Sequence, residues 1–111
     1  MDVDIHSESG TLAVVHPVGR VDLLSAPDLR RALTETVLSG KCRLIVDLND
    51  VPFIDSSGLA ALISGLKAAR LAGGDLRVAR ATDQAQNVFR LTKLDRVLQS
   101  FQSVEDASAG Y

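Results

Sequence analysis

The sequence predicts an α/β domain built on a mixed sheet of four to five strands packed with about four helices. Three observations predict it. Segments rich in β-branched and apolar residues alternate with segments whose apolar residues recur at helical spacing. The first two apolar segments are joined by a short polar turn, Glu8-Ser9-Gly10, which implies an antiparallel pair. The later strands are separated by helices, and a helical crossover implies parallel pairing. At 111 residues the chain has the size of one domain, so residues 1–111 are read as a single unit.

In chain order, Val3 and Ile5 open a short strand, and Thr11 to Val18 supplies the second, with Pro17 marking an edge or a bulge near its end. Gly19-Arg20-Val21-Asp22 leads out of it. Ser25 is a candidate N-cap, Pro27 suits the first turn, and Asp28 is a shorter stand-in for the Glu of a capping box. Leu29, Leu33 and Val37 then give one apolar face, and Gly40 is placed to stop the helix. Arg43 to Leu48 carries apolar residues on both faces and reads as a buried strand. Asn49 to Phe53 carries turn residues. Leu59, Leu62, Ile63 and Leu66 fall at i, i+3, i+4 and i+7, a second helix that Ala72-Gly73-Gly74-Asp75 breaks. Leu76 to Ala79 is a short strand. Thr82 or Asp83 caps a third helix burying Val88, Phe89 and Leu91. Val97-Leu98 with Phe101 gives a further strand, Ser103 and Asp106 cap a last turn, and Ala107 to Tyr111 is expected to be a flexible tail.

Composition narrows the function. Hydrophobic residues make up 46% and charged residues 23%, which lets a chain of this length bury a core without disulfide or metal staples. Aromatic residues are only 4%, so the core must be Leu, Val, Ile and Ala, and base-stacking platforms are disfavoured. The net charge of −2 leaves no electrostatic footprint for nucleic acid, and Arg30-Arg31 reads as a solvated helix face. No apolar run approaches the roughly 20 residues that span a bilayer. The acidic start Met1-Asp2-Val3-Asp4 is unlike a signal peptide, and the single Cys42 has no disulfide partner in the chain. A cytoplasmic protein is expected, with no direct nucleic-acid or membrane partner.

Chemistry concentrates in Asp55-Ser56-Ser57-Gly58, which follows a buried strand and opens a helix. The first turn of a helix has backbone N–H groups with no intrahelical partner, and a side-chain oxygen of Asp55 or Ser56 can accept from them. Plain helix capping would account for these residues. The place is also where open α/β sheets put functional loops, at the carboxyl end of a strand. A serine hydroxyl there is positioned for phosphorylation, because the helix dipole and its free N–H groups tolerate an anion. Such a phosphate adds about −1.5 to −2 charges, beside Asp55, and beside Asp22 if the two loops meet. By chemistry alone Ser56 and Ser57 are near equals.

No enzyme is expected. A nucleophile elbow needs Gly where Ile54 stands, and His6 and His16 read as edge-strand residues and not as a general base. Two histidines and one cysteine without ligand spacing give no metal site, and no glycine-rich phosphate cradle points to a nucleotide cofactor.

Leu44-Ile45-Val46-Asp47-Leu48, followed by Val51-Pro52-Phe53-Ile54-Asp55-Ser56-Ser57-Gly58-Leu59, closely resembles the signature of bacterial anti-sigma-factor antagonists, the STAS family. Gly19-Arg20-Val21-Asp22 with Ala26-Pro27-Asp28-Leu29, the Ala72-Gly73-Gly74 turn, and Val88-Phe89 with Leu94 extend the resemblance along the chain. It implies a single STAS-type domain acting as a phosphorylation-controlled switch. Unphosphorylated, such a protein binds an anti-sigma factor that is also a serine kinase and so frees a sigma factor, in stress-response or sporulation programmes. Phosphorylation ends the binding, and a PP2C-type phosphatase restores it. The resemblance selects Ser56 over Ser57 as the modified residue and places Asp22 beside it. The partner is expected to grip Asp22, Asp55, Ser57, Gly58 and Leu59. The alternative within the same fold is a STAS-domain regulator or scaffold in another signalling or lipid-transport complex.

Overall fold

The first two strands pair because a tight turn returns the chain on itself. In the computed structural model, which describes residues 1–111, β1 (Asp2–Ser7) runs antiparallel to β2 (Leu12–Val18). Helix α1 (Ala26–Leu38) then carries the chain to β3 (Arg43–Asp47), α2 (Ser56–Leu71) to β4 (Asp75–Ala79), and α3 (Asp83–Leu91) with a 3-10 turn at Leu94–Arg96 to β5 (Gln99–Phe101). The strands lie in sequential order β1-β2-β3-β4-β5, with β2 to β5 all parallel, as their helical crossovers require. A last short helix, α4 (Val104–Ser108), closes the chain.

Sequential strands joined by crossovers of one hand place every connecting helix on the same side of the sheet. That side holds a continuous core in which Leu29 and Leu33 of α1, Leu62 and Leu66 of α2 and Phe89 of α3 meet Val15, Leu44, Val46, Leu76 and Val78. Alternate strand residues Val14, Ile45 and Ala79 point to the opposite side, where Ala107 of α4 covers them. The helix ends follow local chemistry. Gly40 takes φ +101°, a conformation open to it without a side chain. Its N–H then reaches Val37 O, and Lys41 N–H reaches Thr36 O, the paired bonds of a Schellman end. Gly73 and Gly74 close α2 in the same way on Arg70 and Ala69.

Several expectations are corrected. Of the two readings of Pro17 the bulge fails, since it stays in register with Val3, and the edge holds: the parallel ladder to β3 runs only from Leu12 to Val15, so its missing N–H interrupts nothing there. Ser25 occupies the N-cap position of α1 without a capping bond from its side chain, and Asp28 instead accepts from the Met1 amine at 3.0 Å. Leu91 is 75% exposed at the last position of the short α3, whose Ala85 and Phe89 are buried and whose Val88 packs half-buried against the core. The expected flexible tail is packed. Ala107 is fully buried, and the Tyr111 hydroxyl lies 2.9 Å from Leu44 O and 2.5 Å from Asp75 O. Arg77 stacks on the Tyr111 ring at 4.1 Å and donates to the carbonyls of Ala107 and Ala109. Burial pushes the Tyr111 phenol well above its ordinary pKa.

Candidate functional site

After β3 the chain turns through Leu48 and Val51 and runs extended through Phe53, Ile54 and Asp55. This segment forms a parallel bridge with the residues just beyond β2, Val21 opposite Ile54. Val21 N–H donates to Phe53 O at 2.9 Å, and Asp55 N–H donates to Val21 O at 3.2 Å. On its other side, Ile54 N–H donates to Gln84 Oε1 and Gln84 Nε2 donates back to Ile54 O, both at 2.9 Å. Val21 and Ile54 are fully buried, so the bridge is the floor on which two loops stand: Asp22 to Ser25, and Asp55 to Gly58.

The second loop is the start of α2. Asp55 is extended (φ −115°, ψ −169°), and its Oδ1 accepts from Ser57 N–H at 2.9 Å and Gly58 N–H at 3.1 Å. Of the two capping candidates, Asp55 is therefore the cap. Ser56 is the first helical residue and exposed; Ser57 is half-buried and turned toward α1. Gly58 sits directly on the bridge. A Cβ there would lie 2.5 Å from Ile54 Cγ1 and 2.9 Å from both Val21 Cγ1 and Val21 O. Leu59 is 5% exposed and belongs to the core. Gly58 and Leu59 thus seat the helix and are buried beneath the loop.

In the first loop, Asp22 Oδ1 accepts from Leu24 N–H at 3.1 Å and Ser25 N–H at 3.2 Å, an Asx-type turn. Ser25 Oγ accepts from Asp22 N–H at 3.0 Å and donates to Arg20 O at 2.6 Å. The Ser25 N–H above all, with Leu24 N–H and the Arg20 charge, holds the Asp22 carboxyl below the usual carboxylate range. The bridge brings this loop beside that of Ser56, but no hydrogen bond joins Asp22 to Ser56. Asp22 shapes its loop with Oδ1 and shows Oδ2 outward, 4.0 Å from Arg20 Nε.

Sequence reasoning missed four neighbours of this site. Leu23 and Leu24 are 74% and 89% exposed on the Asp22 loop. Arg20 lies 4.1 Å above the Phe53 ring. Gln84 pins the floor from α3. The two leucines carried a signal, since Leu23-Leu24 precedes the helix outside its apolar period. Gln84 carried none. Between α1 and α2 runs an open groove of about 510 Å³, lined among others by Leu23, Ala26, Arg30, Ser57, Ala60 and Ser64. His16 Nε2 lies 2.7 Å from Asp50 Oδ2 at the sheet end. No helix is long and apolar enough to cross a membrane.

The model of the STAS domain family matches residues 3–107 of this chain. An anti-sigma-B factor antagonist of Bacillus subtilis is 28% identical over 98 residues, covering 88% of each chain. The crystal structure of an anti-sigma factor antagonist from Mycobacterium paratuberculosis superposes with a TM-score of 0.86 at 26% identity, over 97% of this chain and 91% of that one. The Bacillus protein SpoIIAA shares the fold in both of its solved states. Unphosphorylated it gives a TM-score of 0.81 at 16% identity over 96% of this chain and 92% of its own; phosphorylated, 0.74 at 15% over 96% of each.

Proposed function

The chain belongs to the STAS domain family, and on that premise we propose that it is an anti-sigma-factor antagonist switched by phosphorylation of Ser56. The family is one of regulatory protein-binding domains, and the relatives that match most of this chain bear the antagonist's name. The observation that carries the residue assignment is the difference between the two serines. Ser56 is exposed at the first position of α2, and Ser57 is half-buried toward α1. A kinase must surround the accepting hydroxyl, and the greater exposure of Ser56 supports its choice over Ser57.

In this reading the unphosphorylated protein binds an anti-sigma factor with serine kinase activity through the surface formed by Ser56, Asp22 and the adjoining loop, and a sigma factor is released. Transfer forms a bond between Ser56 Oγ and the γ-phosphorus of ATP and breaks the β–γ bridge. ADP leaves, and the hydroxyl proton passes to a base of the kinase. The product carries a dianion beside the Asp55 and Asp22 carboxylates, and the complex separates. Hydrolysis by a PP2C-type phosphatase restores the first state. That a fold neighbour has been solved in both phosphorylated and unphosphorylated forms supports a fold that accommodates both. A sigma-factor pathway places the protein in the cytoplasm.

The test is a pull-down from native extract with wild type, Ser56→Ala and Ser56→Asp, followed by incubation with ATP and mapping of the phosphate. Ser56→Ala is expected to hold its partner and take no phosphate, and Ser56→Asp to hold it weakly. Phosphate found on Ser57 alone would refute the assignment, and turnover of a labelled nucleotide without a partner would refute the switch.

A further inference from the structure

Phe53, Ile54 and Asp55 form a strand with a partner on each side, but the second partner is one side chain. In a parallel pairing, the N–H and C=O of one residue face the same neighbour and those of the next residue face the other way. Phe53 and Asp55 accordingly face Val21, and Ile54 faces α3. There the Gln84 amide offers an acceptor to the Ile54 N–H and a donor to the Ile54 C=O, both at 2.9 Å and from 30 residues away. A glutamine side chain ends in the same donor–acceptor unit as a peptide group, so it completes the ladder as a third strand would. Asparagine is one methylene shorter, glutamate at neutral pH lacks the donor, and methionine lacks both groups.

We propose that Gln84 is a positioning residue for Ser56: it locks Ile54, two residues upstream, and so fixes the direction in which the accepting hydroxyl leaves the start of α2. The proposal rests on reading Ser56 as the phosphoacceptor. The anchor behind Gln84 is firm, since Phe89 of the same helix is 1% exposed and Gln86 Nε2 donates to Ala81 O at 2.8 Å. Group transfer is sensitive to such placement, because a displacement of about 1 Å costs on the order of 100-fold in rate. α3 thereby belongs to the switch through Gln84.

Gln84→Met and Gln84→Glu test this against wild type by two measurements. The first needs no partner: amide hydrogen exchange read residue by residue. Exchange at Ile54, Ser57 and Gly58, whose N–H groups are hydrogen-bonded, is expected to rise at least ~10-fold, with Ile45 and Val46 in β3 unchanged. The second is phosphoryl transfer from the cognate serine kinase and ATP. The transfer rate at saturating kinase is expected to fall ~10- to 100-fold, with the affinity for the kinase within about threefold of wild type. Exchange in the loop like that of wild type overturns the proposal. So does slower transfer accompanied by equal loosening of β3, which would mark a global loss of stability. If wild type itself takes no phosphate on Ser56, the functional reading fails, and the exchange result alone decides whether Gln84 holds the loop.

Discussion

Gly58→Ala is the sharpest test of how the Ser56 loop is seated. Elsewhere in a helix this change is favourable, by up to about 1 kcal/mol, because glycine is a poor helix former. At position 58 the new methyl would meet Ile54 Cγ1 at 2.5 Å and Val21 Cγ1 and Val21 O at 2.9 Å. Ile54 can turn a side-chain end aside only within a fully buried site, and the Val21 carbonyl cannot move without releasing the Asp55 N–H that it accepts. Overpacking of this kind costs about 1–3 kcal/mol; three contacts of 2.9 Å or less put this site in the upper part of that range, so after the propensity gain of about 1 kcal/mol a net loss of roughly 1–2 kcal/mol follows. For a domain of this size that is a fall in Tm of about 5–15 °C. Urea unfolding and thermal melting measure it, with Ala60→Gly, at an exposed position of the same helix, calibrating the propensity contribution. A Gly58→Ala protein as stable as wild type would refute the claim that α2 rests on the Val21–Ile54 bridge. The same variant is expected to lose partner binding, since relief of the clash lifts the first turn that carries Ser56.

Asp55→Ala removes the acceptor for Ser57 and Gly58 N–H and is expected to cost about 1 kcal/mol in urea unfolding, whereas Asp55→Asn retains most of it. Acid should unfold the protein partly through Asp47. Burial pushes its carboxyl up, but the Arg80 hydrogen bonds and charge and the Asn49 N–H outweigh this, and the net pKa lies below the usual range. A carboxyl depressed in the folded state stabilises it above the unfolded value of about 3.9, and that contribution is lost as pH falls through the lower folded value. Stability is thus expected to be level from about pH 5 upward and to fall below about pH 4, with a shallower acid limb in Asp47→Asn. For the switch, partner affinity of the phosphorylated form is expected to recover in high salt; a loss insensitive to salt would point to a change of shape and not of charge.

The strands and helices were legible because their periods differ and because glycines and caps punctuate them. Leu59, Leu62 and Leu66 face the core as their spacing requires, and Gly40 ends α1. What failed was decided by contacts across the chain. Leu91 satisfies the apolar pattern, yet α3 ends before the sheet can cover it. Ala107 to Tyr111 lacks any period, and its order comes from two carbonyls on β3 and β4 and from Arg77. At the site, the cap at Asp55 could be read locally, because capping is local chemistry. Gln84 could not, because its partners are backbone atoms 30 residues away and any residue supplies those.

These long-range ties also bear on how a phosphate on Ser56 would be read. The Ser57 and Gly58 N–H groups, which would otherwise be free to wrap an anion, already belong to Asp55 Oδ1. Arg20 lies over Phe53, close to Asp22. The loop itself is fastened by backbone bonds to Val21 and by Gln84, and none of these involves the Ser56 hydroxyl. A phosphate placed there would therefore leave the fold in place and change the charge of the surface. In a water-like medium a unit charge about 5 Å from another contributes roughly 0.8 kcal/mol, so a dianion facing one partner carboxylate costs about 1.7 kcal/mol, more than tenfold in affinity. An aspartate at the same position supplies half that charge and about fourfold. Two or three opposing carboxylates would then suffice to break a micromolar complex with phosphate and only weaken it with aspartate, which is why the graded response of Ser56→Asp separates a charge-read switch from one that works by refolding.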